Sequence, residues 1–153
     1  MQKARYRAYK ARGVHVSALS CMRCKTFCQG ENSLGMKMIS LKGIKESIKK
    51  SVLSLATSKN NKPHQIAVAD IKVLDNRIII TDNFMQETKR NIISNKNVSL
   101  IFWSDNGGYE LKGKADYFSS GKWLDFVRNL KENKGLKPKG AIIVKIKKIK
   151  RLK

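Results

Sequence analysis

Acidic side chains are scarce. Eleven aspartates and glutamates face 33 lysines and arginines in 153 residues, a formal charge of +22. Proline is nearly absent, with two residues, and histidine occurs only twice. No stretch approaches the ~20 uninterrupted apolar residues that a membrane-spanning helix needs, which excludes a helical membrane protein. With 41% hydrophobic residues, the chain can bury a core, which excludes a disordered chain. Its length suits one domain. The excess positive charge draws polyanions and favours salt-sensitive, non-specific nucleic-acid affinity, although the plainer reading is a solvated lysine-rich surface.

The three cysteines, Cys21, Cys24 and Cys28, cluster near the N-terminus. An odd, clustered set argues against a disulfide framework and for a reducing cytoplasm. Residues 1–20 lack the continuous apolar core of a signal peptide. His15 with the cysteines spells H-x5-C-x2-C-x3-C, four potential zinc ligands. The spacing is tight and lacks a second C-x-x-C, so the expectation is no metal. Residues 1–38 show no helical or strand period and read as a flexible extension, with the folded domain over residues 39–153.

Organised patterning begins at Leu41. Leu41, Ile44, Ile48 and Val52 recur at helical spacing among lysines, an amphipathic helix. Residues 51–58 alternate, residues 59–63 (KNNKP) form a turn, and residues 64–74 (HQIAVADIKVL) alternate again, as in an antiparallel hairpin. Asp75-Asn76 turns the chain into a third strand, residues 77–81. Asp82 and Asn83 can cap a helix over residues 84–95. Residues 97–104 (NVSLIFWS) and 109–118 (YELKGKADYF) flank a D-N-G-G turn and form another hairpin. Ser119 or Ser120 opens a further helix with Trp123, Phe126, Val127 and Leu130 on one face. Gly135 and Pro138 end it, and residues 141–149 (AIIVKIKKI) form the last strand. These elements predict a mainly β fold with short helices, a six-stranded antiparallel closed or split β-barrel.

SLATSKNNKPHQIAVADIKVLDNRIIITDNFMQETKRNI followed by VSLIFWSDNGGYELKGKADYFSSGKW resembles the pyridoxamine 5′-phosphate oxidase-like, FMN-binding split-barrel family over about residues 41–150. The series is the specific feature: a strand ending in Thr-Asp-Asn, a helix with Thr and Asn, a strand ending in aromatic residues, then Gly-Tyr-x-x-Lys-Gly-x-Ala. The resemblance implies a homodimer with FMN in clefts between protomers, and an oxidoreductase acting on a small molecule. It places Val68, Ala69 and Asp70 beside the flavin ring and Ile80, Thr81 and Asp82 beside the ribityl chain. Met85, Glu87, Thr88, Arg90 and Asn91 fall in the phosphate clamp, where a helix N-terminus favours an anion. Trp103 and Tyr109 match cleft-lining positions that the partner protomer can supply.

Two positions depart from the family pattern. Glu87 stands where a basic residue usually precedes the clamp threonine, and a carboxylate beside a phosphate is repulsive. Arg90, three residues on, returns to the face of Glu87 and can reach the same anion. The C-terminus, IVKIKKIKRLK, lacks the histidine that pyridoxamine phosphate oxidation uses for the second phosphate, so vitamin B6 oxidation is not expected. His64 reads as a surface histidine in a turn, with no triad partners. The alternatives are a non-catalytic FMN-binding electron carrier and a basic nucleic-acid-binding module; the latter lacks the aromatic-basic strand motifs of RNA readers.

Overall fold

The computed structural model describes residues 40–105 and 107–152. The expected extension and the His15, Cys21, Cys24 and Cys28 set lie outside the described residues. A 3-10 turn, Lys42–Ile44, leads into α1 (Lys45–Lys50), then β1 (Leu53–Lys59), β2 (Lys62–Val68), β3 (Ile71–Leu74) and β4 (Arg77–Asp82). Helix α2 (Gln86–Ser94) follows, then β5 (Asn97–Ser104), β6 (Gly107–Phe118), α3 (Lys122–Arg128), a 3-10 turn at Lys131–Asn133, and β7 (Gly140–Leu152). No helix among the described residues is long and apolar enough to cross a membrane.

All strand pairs are antiparallel, in the order β2-β1-β5-β6-β7-β4-β3. The two edge strands, β2 and β3, are consecutive in the chain and joined only through Ala69 and Asp70. Three residue steps span at most roughly 11 Å, so the sheet must curl until its edges meet at that corner. The fold is therefore a split barrel, with seven strands where the sequence predicts six. The extra strand arises because HQIAVADIKVL is not continuous: its alternation breaks at Ala69-Asp70, where the chain passes from one edge to the other. Helix α1 packs on β3 and β5 and bridges the mouth of the curl.

Inside the curl, Leu55, Val68, Ile71, Ile78, Ile80, Leu100, Phe102, Leu111, Ile142 and Val144 form one buried cluster. A second cluster lies on the outer face, where Leu124 and Val127 of α3 cover Ile79, Ala141 and Ile143. β4 is thus buried on both faces, which is why three isoleucines stand in a row there. Trp123, Phe126 and Leu130, read as the buried face of α3, pack half-buried around Leu124. Neither Ser119 nor Ser120 caps that helix; Gly121, at φ 74°, occupies the cap position. Val52, expected on the apolar face of the first helix, is 62% exposed, because the helix ends at Lys50. The hairpin turn between β1 and β2 has both Asn60 and Asn61 at positive φ, the geometry that matches strand twist.

Candidate functional site

The chain leaves β4 at a carboxylate. Asp82 is buried; one of its oxygens accepts the Met85 N–H at 2.7 Å and the other accepts the Tyr117 hydroxyl at 2.7 Å. The first bond ties the residue before α2, which starts at Gln86 with Met85 in the cap position and no side-chain cap, so neither Asp82 nor Asn83 caps a helix starting at Phe84 as the sequence predicts. The second fixes Tyr117, whose hydroxyl is pushed above the ordinary tyrosine range by burial and then by the bond to Asp82. Gly140 makes room for this arrangement: a Cβ there would overlap the Tyr117 ring. Lys89 lies over that ring, with Nζ 4.9 Å from its centroid.

Helix α2 meets β1 and β2 through a polar seam. Thr88 and Asn91 are buried, as is Thr57 opposite. Thr88 Oγ1 lies 3.2 Å from His64 Nε2, Asn91 Nδ2 donates to Thr57 Oγ1 at 3.1 Å, and Asn95 Nδ2 donates to Ser58 Oγ at 3.0 Å. His64 is therefore half-buried within β2, on the same inward face as Ile66 and Val68, and not in a turn. Glu87 and Arg90 are both more than half exposed and pair with each other at 3.4 Å. The i+3 geometry expected of them is present, and Arg90 offsets the carboxylate that would repel an anion.

The other expected positions fall at separate places. Ile80 is fully buried in the core, and Thr81 is buried beneath Asn133, which donates to its Oγ1 at 3.0 Å. Their side chains face no open surface. Asp70 adjoins them, since its carbonyl accepts the Thr81 N–H. With Ala69 it lines a cleft of about 320 Å3 whose rim carries the Lys72–Glu132 ion pair. Val68 is buried in the core. Trp103 is 62% exposed, beside Gly108 of β6, in an opening of about 440 Å3 shared with Glu46, Lys50, Ser51 and Val52. Tyr109 stacks on Phe102, with ring centroids 5.3 Å apart. One chain therefore joins Asp70, Thr81 and the α2 entrance at one corner and leaves Trp103 in a different opening. Sequence reasoning missed His64, Tyr117 and Asn133. The first two had a signal in the inward phase of their strands; Asn133, 52 residues from Thr81, had none.

A family model described as Pyridoxamine 5′-phosphate oxidase matches residues 42–153. The chain belongs to the pyridoxamine 5′-phosphate oxidase family. An uncharacterized protein of Methanocaldococcus jannaschii is 36% identical over 115 residues, covering 71% of this chain and 77% of that protein. The HupZ structure from Group A Streptococcus superposes with a TM-score of 0.66 at 22% identity, over 75% of this chain and 94% of that one. An FMN-binding protein of Syntrophomonas wolfei gives a TM-score of 0.56 at 16% identity, over 74% and 91% respectively. At these identities the structural likenesses show the fold that the pyridoxamine 5′-phosphate oxidase family shares.

The donors at the α2 entrance fit the phosphate of a flavin nucleotide. The first turn of a helix offers main-chain N–H groups without intrahelical partners. Glu87, Thr88 and Lys89 stand within that turn, Arg90 follows it and pairs with the Glu87 carboxylate, and Asp82 is already satisfied by Met85 and Tyr117.

Proposed function

We propose that this chain is an FMN-binding oxidoreductase that acts on a small molecule as a homodimer, with the flavin phosphate at the start of α2. The observation that carries the reading is the α2 entrance itself, preceded by the Asp82–Met85 bond and carrying Thr88 and Lys89 in its first turn, with Arg90 just beyond it offsetting Glu87. Family membership supports it, as does the fold shared with an FMN-binding protein. Residues at the Ala69–Asp70 corner adjoin this entrance through the Asp70–Thr81 bond and orient the ring end. Trp103, in the other opening, completes the cleft from the partner protomer, with Tyr109 on the neighbouring residue pair of the same hairpin, stacked on Phe102. Bound there, the flavin supplies the hydride or electron transfer, so no side-chain nucleophile or base is needed.

Flavin titrations monitored by fluorescence quenching test the placement. Arg90→Ala removes a charge-assisted contact worth about 1.5–3 kcal/mol and leaves Glu87 unopposed, so FMN affinity falls about 10- to 150-fold. Glu87→Lys frees Arg90 and adds a cation, so affinity rises. Riboflavin, which has no phosphate, binds all three proteins alike. FMN affinity indifferent to both substitutions would place the phosphate elsewhere. Reduction of the flavin by a nicotinamide, followed by reoxidation with a screened substrate, separates an enzyme from an electron carrier.

A further inference from the structure

The outer face of the barrel carries a ladder of positive charge that the flavin reading does not use. Strand register places Arg77 of β4 opposite Lys145 of β7, and Lys145 opposite Lys114 of β6. One step further along, Lys148 stands opposite Lys112, and after it Lys150 stands opposite Glu110. Directly opposed residues point to the same face, and all six of these basic residues are exposed. The register shift at Lys112/Gly113 leaves Lys147 as an extra exposed cation between the rows. Among the described residues the compensation is slight. Glu110 pairs with Lys112 at 3.1 Å, while Asp116, the next outward carboxylate on β6, is held by Lys96 at 2.7 Å. Arg77, Lys114, Lys145, Lys147, Lys148 and Lys150 have no ion-pair partner among the described residues.

Neighbouring strands lie about 4.8 Å apart, and outward residues on one strand repeat about every 7 Å. Like charges directly opposite on a sheet destabilise it. A row of three cations followed by further lysines is an arrangement that folding alone works against and that a dense line of negative charge relieves. We infer that this face, across β4, β7 and β6, is a docking surface for the phosphate backbone of double-helical nucleic acid, read without regard to sequence.

Three observations select that occupant. A second copy of this chain is disfavoured, because a two-fold interface would set the ladder against itself. A lipid surface calls for apolar side chains to enter the acyl boundary. Among the described residues, the exposed large hydrophobics Val52, Phe84, Ile93, Trp103 and Leu136 lie off the ladder, and only Leu74, opposite Arg77, borders it. A single strand calls for aromatic stacking platforms, and the ladder positions carry none. What remains is a rigid face of long, mobile cations, suited to phosphates whose bound counterions are released on contact.

The experiment measures binding of the full chain to a mixed-sequence 20-base-pair DNA duplex by fluorescence anisotropy across a salt series. Contacts to about five phosphates give a slope of log affinity against log salt of about −4 to −5. Lys145→Gln with Lys148→Gln lowers the magnitude of the slope by about 2 and weakens binding to two unrelated duplexes equally. Lys134→Gln with Lys137→Gln removes the same charge from the loop before β7 and serves as the control. An equal loss in both double variants would mean that overall charge alone is responsible, and would overturn the assignment. Loss of binding to phosphatidylserine vesicles with duplex affinity unchanged would overturn it in favour of a membrane. Flavin content is read in parallel and stays the same in every variant, so this result is independent of the FMN reading.

Discussion

Tyr117 links β6 to the α2 entrance through one carboxylate, and its acidity sets a pH dependence. Burial and the Asp82 bond raise its pKa on folding from the ordinary value of 10.0. The folded chain therefore holds that proton more tightly than the unfolded chain does. The associated stability is complete below pH 10 and declines as pH climbs above it. Tyr117→Phe removes this alkaline contribution. At pH 7 it costs about 1–3 kcal/mol, because one Asp82 oxygen is left buried without its donor. Urea unfolding of both proteins between pH 7 and pH 11 checks this, and parallel stability curves would refute it. At this scale the sequence was legible only where a side chain acts on its own element. The Glu87–Arg90 pairing follows from helical spacing, whereas the burial of Thr81 depends on Asn133, 52 residues away, which no local pattern announces.

Elements with one period and one environment were read most closely. NVSLIFWS forms a strand over the residues expected, because its neighbours on both sides are strands and its burial alternates through Val98, Leu100 and Phe102. HQIAVADIKVL misled because its inward phase shifts by one residue at Ala69-Asp70, from His64, Ile66 and Val68 in β2 to Ile71 and Val73 in β3, and the two strands belong to opposite edges of the sheet. The last strand runs to Leu152, beyond the expected Ile149, because pairing with β6 continues past the point where the alternation becomes lysine-rich. Gly140 at the start of β7 shows how tightly two elements constrain each other. Its missing Cβ is the space that the Tyr117 ring fills, so Gly140→Ala overpacks the contact and costs about 1–3 kcal/mol. Gly43→Ala, where an added Cβ meets nothing within 4 Å, stays within about 0.5 kcal/mol. Equal losses by chemical denaturation in the two variants would show that the Tyr117 contact is not what fixes residue 140.

At the scale of the whole molecule, the described fold closes on itself. The two sheet edges meet at Ala69-Asp70, α1 bridges the mouth, and α3 covers the outer face of β4 and β7. Of the large apolar side chains left exposed among the described residues, Trp103 and Val52, each 62% exposed, line one opening together. A face of that kind fits burial against a second copy, whereas the lysine ladder, turned to β4, β7 and β6, stays in solvent. Both arguments use residues after Met38, so a chain beginning at Met38 is expected to fold and dimerise like the full one. Sedimentation velocity at micromolar concentration, with and without residues 1–37, checks it. Trp103→Glu is expected to give folded monomers whose FMN affinity falls along with the dimer, because the cleft then lacks its second wall. A stable, flavin-loaded monomer of the unaltered chain would overturn the dimer and, with it, the place of Trp103 and Tyr109 in the site. Loss of soluble dimer on truncation would instead assign residues 1–37 a part in assembly.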